Sequence, residues 1–495
     1  MPPNIDLAEI EAGRYYFLTG FKGSGKTALL RYLAETAKAR GTATTFVLFK
    51  SDFSEFERQE LSRAAGFTLM ATGSGKSGKG RSSIEQDFEH VWRLFLHQQL
   101  AELLARPQDA VIKDANLDRY IKILRASETG AAEGVLGRLF GSIRDGRIKV
   151  AANFSFLKAE FSTNFQPSRD GADEGYLSVA SLVDAADRAL AALRPANGRA
   201  ILFLDELEVS FSMDDQYVRD CKMIRDLIVC VEKINRQFIE KKLPIIAIAA
   251  IRSEVVTAVS AVGKEINKAI EDFGVKIYWH RRGTPDEAHP LLQVILQKIQ
   301  ASEVAKGINE DRSVLWEKYF PASYKGMNSS SYLLHYTWYR PRDVVRLLRA
   351  AQEFSPTATV FNEHVIDECL REYAKGNLVE IFEDLQATYT PFAIEGIKAL
   401  LTGLPILTNL SALEARLVQL AKSHSSVKEL KDKHSLPVVL SDLFRVGLIG
   451  NVYRGRGAGK GGGTRQRWSF RGEENIDLSM GISVHRAAGR ALSIS

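Results

Sequence analysis

The chain has 495 residues, of which 45% are hydrophobic and 25% charged, with only three cysteines. That length gives room for roughly two to four domains with real cores, and the composition excludes disordered, collagen-like and disulfide-rich classes. The formal net charge is +6, but residues 446–495 hold eight Lys or Arg against three acids, so attraction for polyanions is expected at the C-terminal end.

Cys221, Cys230 and Cys369 have no partner spacing of the kind a structural zinc site needs, which points to a reduced, cytoplasmic setting. The longest apolar run, Leu243 to Ile251, is too short to cross a bilayer, and the N-terminal segment lacks the basic-then-apolar order of a signal peptide. No membrane partner is expected.

In chain order, Tyr15 to Thr19 reads as a short buried strand. The glycine-rich segment Gly20 to Thr27 follows, and Ala28, Leu29, Leu33 and Ala37 then recur at helical spacing until Gly41. Thr44 to Lys50 is β-branched and aromatic, a second strand. Residues 67–175 fit the alternation poorly and read as an insertion, with a helix around Phe88 to Leu104 and a hairpin near Ile148 to Phe161. Val179, Leu182, Val183, Ala186, Leu190 and Leu193 mark an amphipathic helix, and Asn197-Gly198 turns the chain into the apolar strand Ala200 to Leu204. A long helix opens on Ser212-x-x-Asp215 and carries Ile224, Ile228 and Val231 on one face. The strand Ile245 to Ile251 follows. Continuous apolar strands separated by helices predict an α/β fold, a parallel sheet covered by helices on both faces. The domains read as 1–283 for this core, 284–385 for a helical lid and 386–495 for a winged-helix unit with a basic wing.

The strongest motif is Gly20-Phe21-Lys22-Gly23-Ser24-Gly25-Lys26-Thr27, a full phosphate-loop pattern between strand and helix. Its glycines let backbone N–H groups turn toward phosphates at a helix N-terminus; Lys26 would pair with the β- and γ-phosphates, the Thr27 hydroxyl would ligate Mg²⁺, and Ala28 closes the binding segment. The stretch Thr72 to Gly80 looks similar and fails: with Lys76 as the phosphate lysine, Met70 stands where the first glycine belongs, and with Lys79, Gly80 replaces the hydroxyl. It reads as a surface loop. The segment Ile201 to Glu206 is an apolar strand ending in two acids, of which Asp205 would hold the Mg²⁺ shell and Glu206 would activate water. Glu208 reads as a solvated neighbour. Arg252 ends the next strand, where it would lie near the γ-phosphate or in water. Arg340 and Arg342, in Tyr-Arg-Pro-Arg-Asp, precede a helix that Pro341 can open, and Arg342 is the preferred lid arginine. Arg281 and Arg282 are candidates for a finger in trans. Between Tyr453 and Arg471 lie Arg454, Arg456, Lys460, Arg465 and Arg467 with no acid and with Trp468 and Phe470 nearby, a hairpin that would contact DNA phosphates or serve a protein-binding winged helix.

Taken together, the phosphate loop, the acids of ILFLDE, the strand IIAIAAIRSE, the YRPRD lid and the terminal winged helix resemble bacterial P-loop ATPases of the AAA+/STAND kind, relatives of origin-recognition ATPases often found beside antiviral defence genes. The resemblance implies an ASCE-type sheet with the Asp205 strand not adjacent in sequence to the phosphate-loop strand, ATP with Mg²⁺ as cofactors, and nucleotide-dependent assembly. No clear G-x-P or arginine-finger signature is present, so ring assembly does not carry over. The function expected is an ATP-hydrolysing molecular switch in defence or stress response, acting through a protein effector or self-association. The alternatives are a DNA-remodelling ATPase gripping DNA with its wing and a nucleotide-gated scaffold with little hydrolysis. ATP is not distinguished from GTP at this level.

Overall fold

Four apolar runs recognised in the sequence form strands, and a short fifth joins them: β1 (Phe17–Gly20), β2 (Ala43–Leu48), β3 (Ala200–Leu207), β4 (Ile245–Arg252) and β5 (Gly274–Lys276). The computed structural model describes residues 1–71, 88–106, 111–112, 114–125, 143–144, 147–151, 166–167, 174–196, 198–209, 214–260, 266–280, 285–386, 388–454 and 464–494. Internal contacts divide the chain into two units, one of Asp6–Thr19 and Lys26–Lys276, the other of Met1–Ile5, Gly20–Gly25 and Ile277–Ser495.

In the first unit the five strands form a parallel sheet in the order β2-β3-β4-β1-β5. One strand, β4, thus separates β1 from β3. Nearly every residue of β1, β3 and β4 is buried, as strands covered on both faces must be. The helix Lys26–Ala39 buries Leu29, Leu30, Leu33 and Ala37, the 3–4 spacing expected of its core-facing stripe. The helix Glu89–Leu104 buries twelve of its sixteen residues and packs against β2, β3 and the helices Val179–Ala191 and Asp214–Glu240. This part of the segment read as an insertion is therefore a wall of the sheet core. Trp92 and Phe95 close on Phe49 and Phe53 with ring centroids 5.6–5.8 Å apart. A small antiparallel sheet holds Ile143–Arg144, Arg147–Ala151, Glu174–Ser178 and Gln166–Pro167 in that spatial order. The Thr72–Gly80 stretch, the second half of the expected hairpin, Ser212 and Asn197 lie outside the described residues.

The expected strand Thr44–Lys50 stops two residues early because Phe49–Asp52 turns into a short helix, and the Asp52 carboxylate reaches back to accept the Leu48 N–H at 2.7 Å. β3 is longer than expected and contains both acids.

In the second unit, five helices (Pro290–Val304, Arg312–Tyr319, Ser329–His335, Pro341–Phe354 and Glu363–Leu385) precede four more (Pro391–Leu401, Leu410–Leu420, Ser425–Lys433 and Leu436–Arg445). A three-stranded antiparallel sheet follows, with Ile449–Arg454 between Thr464–Arg467 and Gly481–Val484. Helix starts are set by short polar side chains: Asn362, Thr390 and Asn409 each accept the N–H three residues on, contacts worth about 1 kcal/mol apiece. Among the described residues no helix is long and apolar enough to cross a membrane.

Asn235, buried on the long helix Asp214–Glu240, accepts the Ala247 N–H and donates to the Ala247 carbonyl, both at 2.8 Å. The side chain thus completes β4's hydrogen bonding where no strand residue does. Replacing it orphans two buried backbone groups, each costing about 1–3 kcal/mol. Asn235→Leu is expected to destabilise the protein by about 2–4 kcal/mol, read as a lowered urea midpoint; an unchanged midpoint contradicts this role.

Candidate functional site

The loop between β1 and the helix Lys26–Ala39 has the backbone its glycines allow, with φ of +81° at Gly23 and +93° at Gly25, values that disfavour any residue with a Cβ. The Lys26 side chain is buried while Thr27 and Ala28 are exposed. The Ser24 hydroxyl is buried and has no hydrogen-bond partner.

Within the second unit, the six residues Gly20–Gly25 are fastened from several sides. The Trp279 indole N–H donates to the Ser24 carbonyl at 2.8 Å. Arg340 donates to the Lys22 carbonyl at 3.2 Å and stacks over the Phe21 ring at 5.1 Å. Lys22 pairs with Glu383 at 3.3 Å. Arg342 lies so close to Gly23 that a Cβ there would stand 2.7 Å from its Nε. Its guanidinium pairs with Glu380, which also holds Arg346 at 2.9 Å, and burial lowers the Arg342 pKa from its ordinary value. The neighbouring Asp343 carboxyl is pushed up by burial, against the pull of Arg340 and Arg342. Arg342, singled out in the sequence, is thus at the loop, together with Arg340.

In the first unit, Asp205 and Glu206 end β3. Asp205 is 3% exposed; its Oδ1 accepts the Glu206 N–H at 2.8 Å, and its Oδ2 has no partner. Glu206 has a left-handed φ of +59° at an irregularity in the β3–β4 register between Leu204 and Leu207. A non-glycine residue there costs of order 1–3 kcal/mol. Its Oε2 accepts the Ser51 hydroxyl at 2.6 Å and the Ser51 N–H at 3.1 Å. Nothing in the local sequence marks Ser51, since its role depends on how β2 lies beside β3. Arg252 does end β4, but its guanidinium is engaged by Glu208 and, at 3.8 Å, by Glu254. Glu208 also holds Lys50 at 3.1 Å, so it is the centre of an ion-pair group and not a solvated neighbour. Among the described residues no group of three or more His, Cys, Asp or Glu is arranged to hold a metal.

Residues 289–381 match the FunZ-associated C-terminal helical domain. The matched FunZ-associated domain contains Arg340, Arg342 and Glu380 and begins at His289, inside the stretch read as a lid. No curated protein matches the chain, and no ATPase family matches it.

At the C-terminal end, Arg465 is exposed and Arg467 stacks on Tyr453 at 5.5 Å while lying 3.8 Å from Glu473. Arg454 is the last residue of its strand. Arg456, Lys460, Arg281 and Arg282 lie outside the described residues.

Next to Arg340 in the chain, Tyr339 belongs to an aromatic cluster. Tyr339, with φ of +50°, is buried among His280, His289 and Phe470, and Arg471 stacks over its ring at 4.8 Å. His485 is buried and stacks on Trp338 at 4.0 Å. Burial holds His289 down to about 4 and His485 well below its ordinary value. Both are neutral in the fold and protonate near pH 6.5 once unfolded. Their contribution is therefore complete above about pH 6.5 and is lost as pH falls toward 4. The melting temperature is expected to drop between pH 6.5 and 4, and His289→Gln to flatten that drop; an equally steep drop in the variant would remove His289 as its cause.

Proposed function

We propose that this chain is a P-loop ATPase of the AAA+/STAND kind that binds ATP with Mg²⁺ at Gly20–Thr27 and hydrolyses it, serving as a nucleotide-dependent switch in a defence system. One observation carries the reading: the buried Asp205 keeps a carboxylate oxygen without a partner at the carboxyl end of a parallel strand, where open α/β sheets bind ligands. A buried carboxylate oxygen left unpaired is costly unless something pairs with it, and a divalent cation is the partner that phosphoryl transfer requires there. The strand order, with one strand between those bearing the loop and the acids, supports the ASCE assignment. The positive-φ glycines and the buried Lys26 fit a polyphosphate cradle. The defence setting rests on the FunZ-associated domain, and the small helix-and-sheet unit at the end supports a winged helix.

In this reading Lys26 would pair with the β- and γ-phosphates, and the exposed Thr27 hydroxyl and Asp205 would hold the cation; within the second unit, Arg342 beside Gly23 is a candidate phosphate contact. Bound Mg²⁺ supplies neutralisation of charge that develops on the phosphoryl oxygens. Glu206 orients and deprotonates the attacking water. Ser51 holds the Glu206 carboxylate through two donors, which fixes its direction; release of that grip is a route to activation. Arg252, bound to Glu208 and Glu254, keeps strand ends in place and becomes a nucleotide contact only by leaving them. The effector side, a protein partner or a second copy of the chain, acts through the second unit.

Lys26→Ala is expected to abolish ATP binding in calorimetry; ATP affinity equal to that of the wild type would overturn the assignment. Glu206→Gln is expected to keep ATP affinity while turnover falls by about 10²–10⁴-fold. Wild-type protein that binds ATP and never turns it over would leave a nucleotide-gated scaffold instead.

A further inference from the structure

The three-stranded sheet of the second unit borders a cavity of about 630 Å³ lined by Tyr453, Arg465, Arg471, Arg486, Ile406 and Leu407, and no acidic side chain lines it. The three guanidiniums come from separate places in the chain, on the strand Thr464–Arg467, at the end of a short helical turn and at the start of the final helix Arg486–Ala491. Arg465 and Arg486 are both exposed and have no carboxylate partner among the described residues. Arg471 donates to the Tyr339 hydroxyl at 3.1 Å, while its buried Nε has no partner. Arg465 and Arg486, exposed and without a carboxylate partner, repel each other across this concavity, so their placement suits an anionic ligand. Arg favours the planar, bidentate recognition that phosphate offers.

The other wall is apolar. Ile406 and Leu407 are 67% and 55% exposed, an unusual placement for two adjacent aliphatic side chains. Tyr453 has the Arg467 guanidinium over its ring, the arrangement of a stacking platform strengthened by a cation. A paired duplex presents phosphates and sugars with its base faces hidden, and would leave this apolar wall bare. An unpaired nucleotide presents phosphate and an open π-face together.

We infer that this cavity binds an unpaired nucleic-acid strand, with a base against Tyr453, Ile406 and Leu407 and flanking phosphates on Arg465 and Arg486. The site is separate from the residues of the nucleotide reading, so Lys26→Ala leaves it intact.

The test uses the full chain and fluorescence anisotropy with 15-residue oligothymidylate and oligouridylate, a blunt duplex of the same length, and a polyglutamate peptide. Either single strand is expected to bind more tightly than the duplex or the peptide, and the comparison of the two separates DNA from RNA. The Arg465→Glu/Arg486→Glu variant is expected to weaken strand binding at least about tenfold and to reduce the slope of log K against log salt by about 1.4, from two lost phosphate contacts. Tyr453→Leu is expected to weaken strand binding roughly tenfold with little change in slope. Melting temperature, together with the milder Arg465→Gln variant, separates loss of contact from loss of fold. Duplex or polyglutamate bound as tightly as the single strands, or variants that melt and bind like the wild type, would overturn the inference.

Discussion

The contact that organises the Gly20–Gly25 turn is the one between Arg342 and the backbone at Gly23. An arginine can approach that closely only because no Cβ stands in the way and because φ at Gly23 is positive. Its charge is then balanced by Glu380, which is shared with Arg346. Around it, Arg340 and Trp279 hold two carbonyls of the same six-residue turn, and the turn's own Lys22 is held by Glu383. At this turn the cations Arg342 and Lys22 are paired with Glu380 and Glu383. Under the proposed nucleotide reading, an entering phosphate would compete with Glu380 and Glu383 for the same partners.

The acids of β3 illustrate a second constraint. In a regular strand, neighbouring side chains point to opposite faces, so Asp205 and Glu206 would be divided by the sheet. The register irregularity and the left-handed backbone at Glu206 break that alternation. The Ser51 grip shows where the Glu206 carboxylate rests once that alternation is broken.

Much of this was legible because it is local. The loop, the strand that ends in acids and the helix that Pro341 opens are contiguous patterns whose physics is contained in a few residues. The helix Glu89–Leu104 was also visible, but its place against β2 and β3 was not, since burial of twelve residues on one helix looks in sequence like any apolar run. β5 is three residues long, too short for periodicity. Ser51, Glu380 and Asn235 act across 155, 38 and 12 positions respectively, and no spacing rule reaches that far. Arg252 was read correctly as a strand end, yet the partner that occupies it, Glu208, lies on another strand-end segment and could not be paired with it from order alone.

The assignment of Gly20–Gly25 to the same unit as Ile277–Ser495 has a practical corollary for dissection of the protein. A fragment ended at Lys276 would retain all five strands of the parallel sheet and every residue of the phosphate-loop motif. It would lack Trp279, Arg340, Arg342 and Glu383, the side chains that brace the turn. Such a fragment carries the complete signature in its sequence without the second-unit side chains that brace its turn.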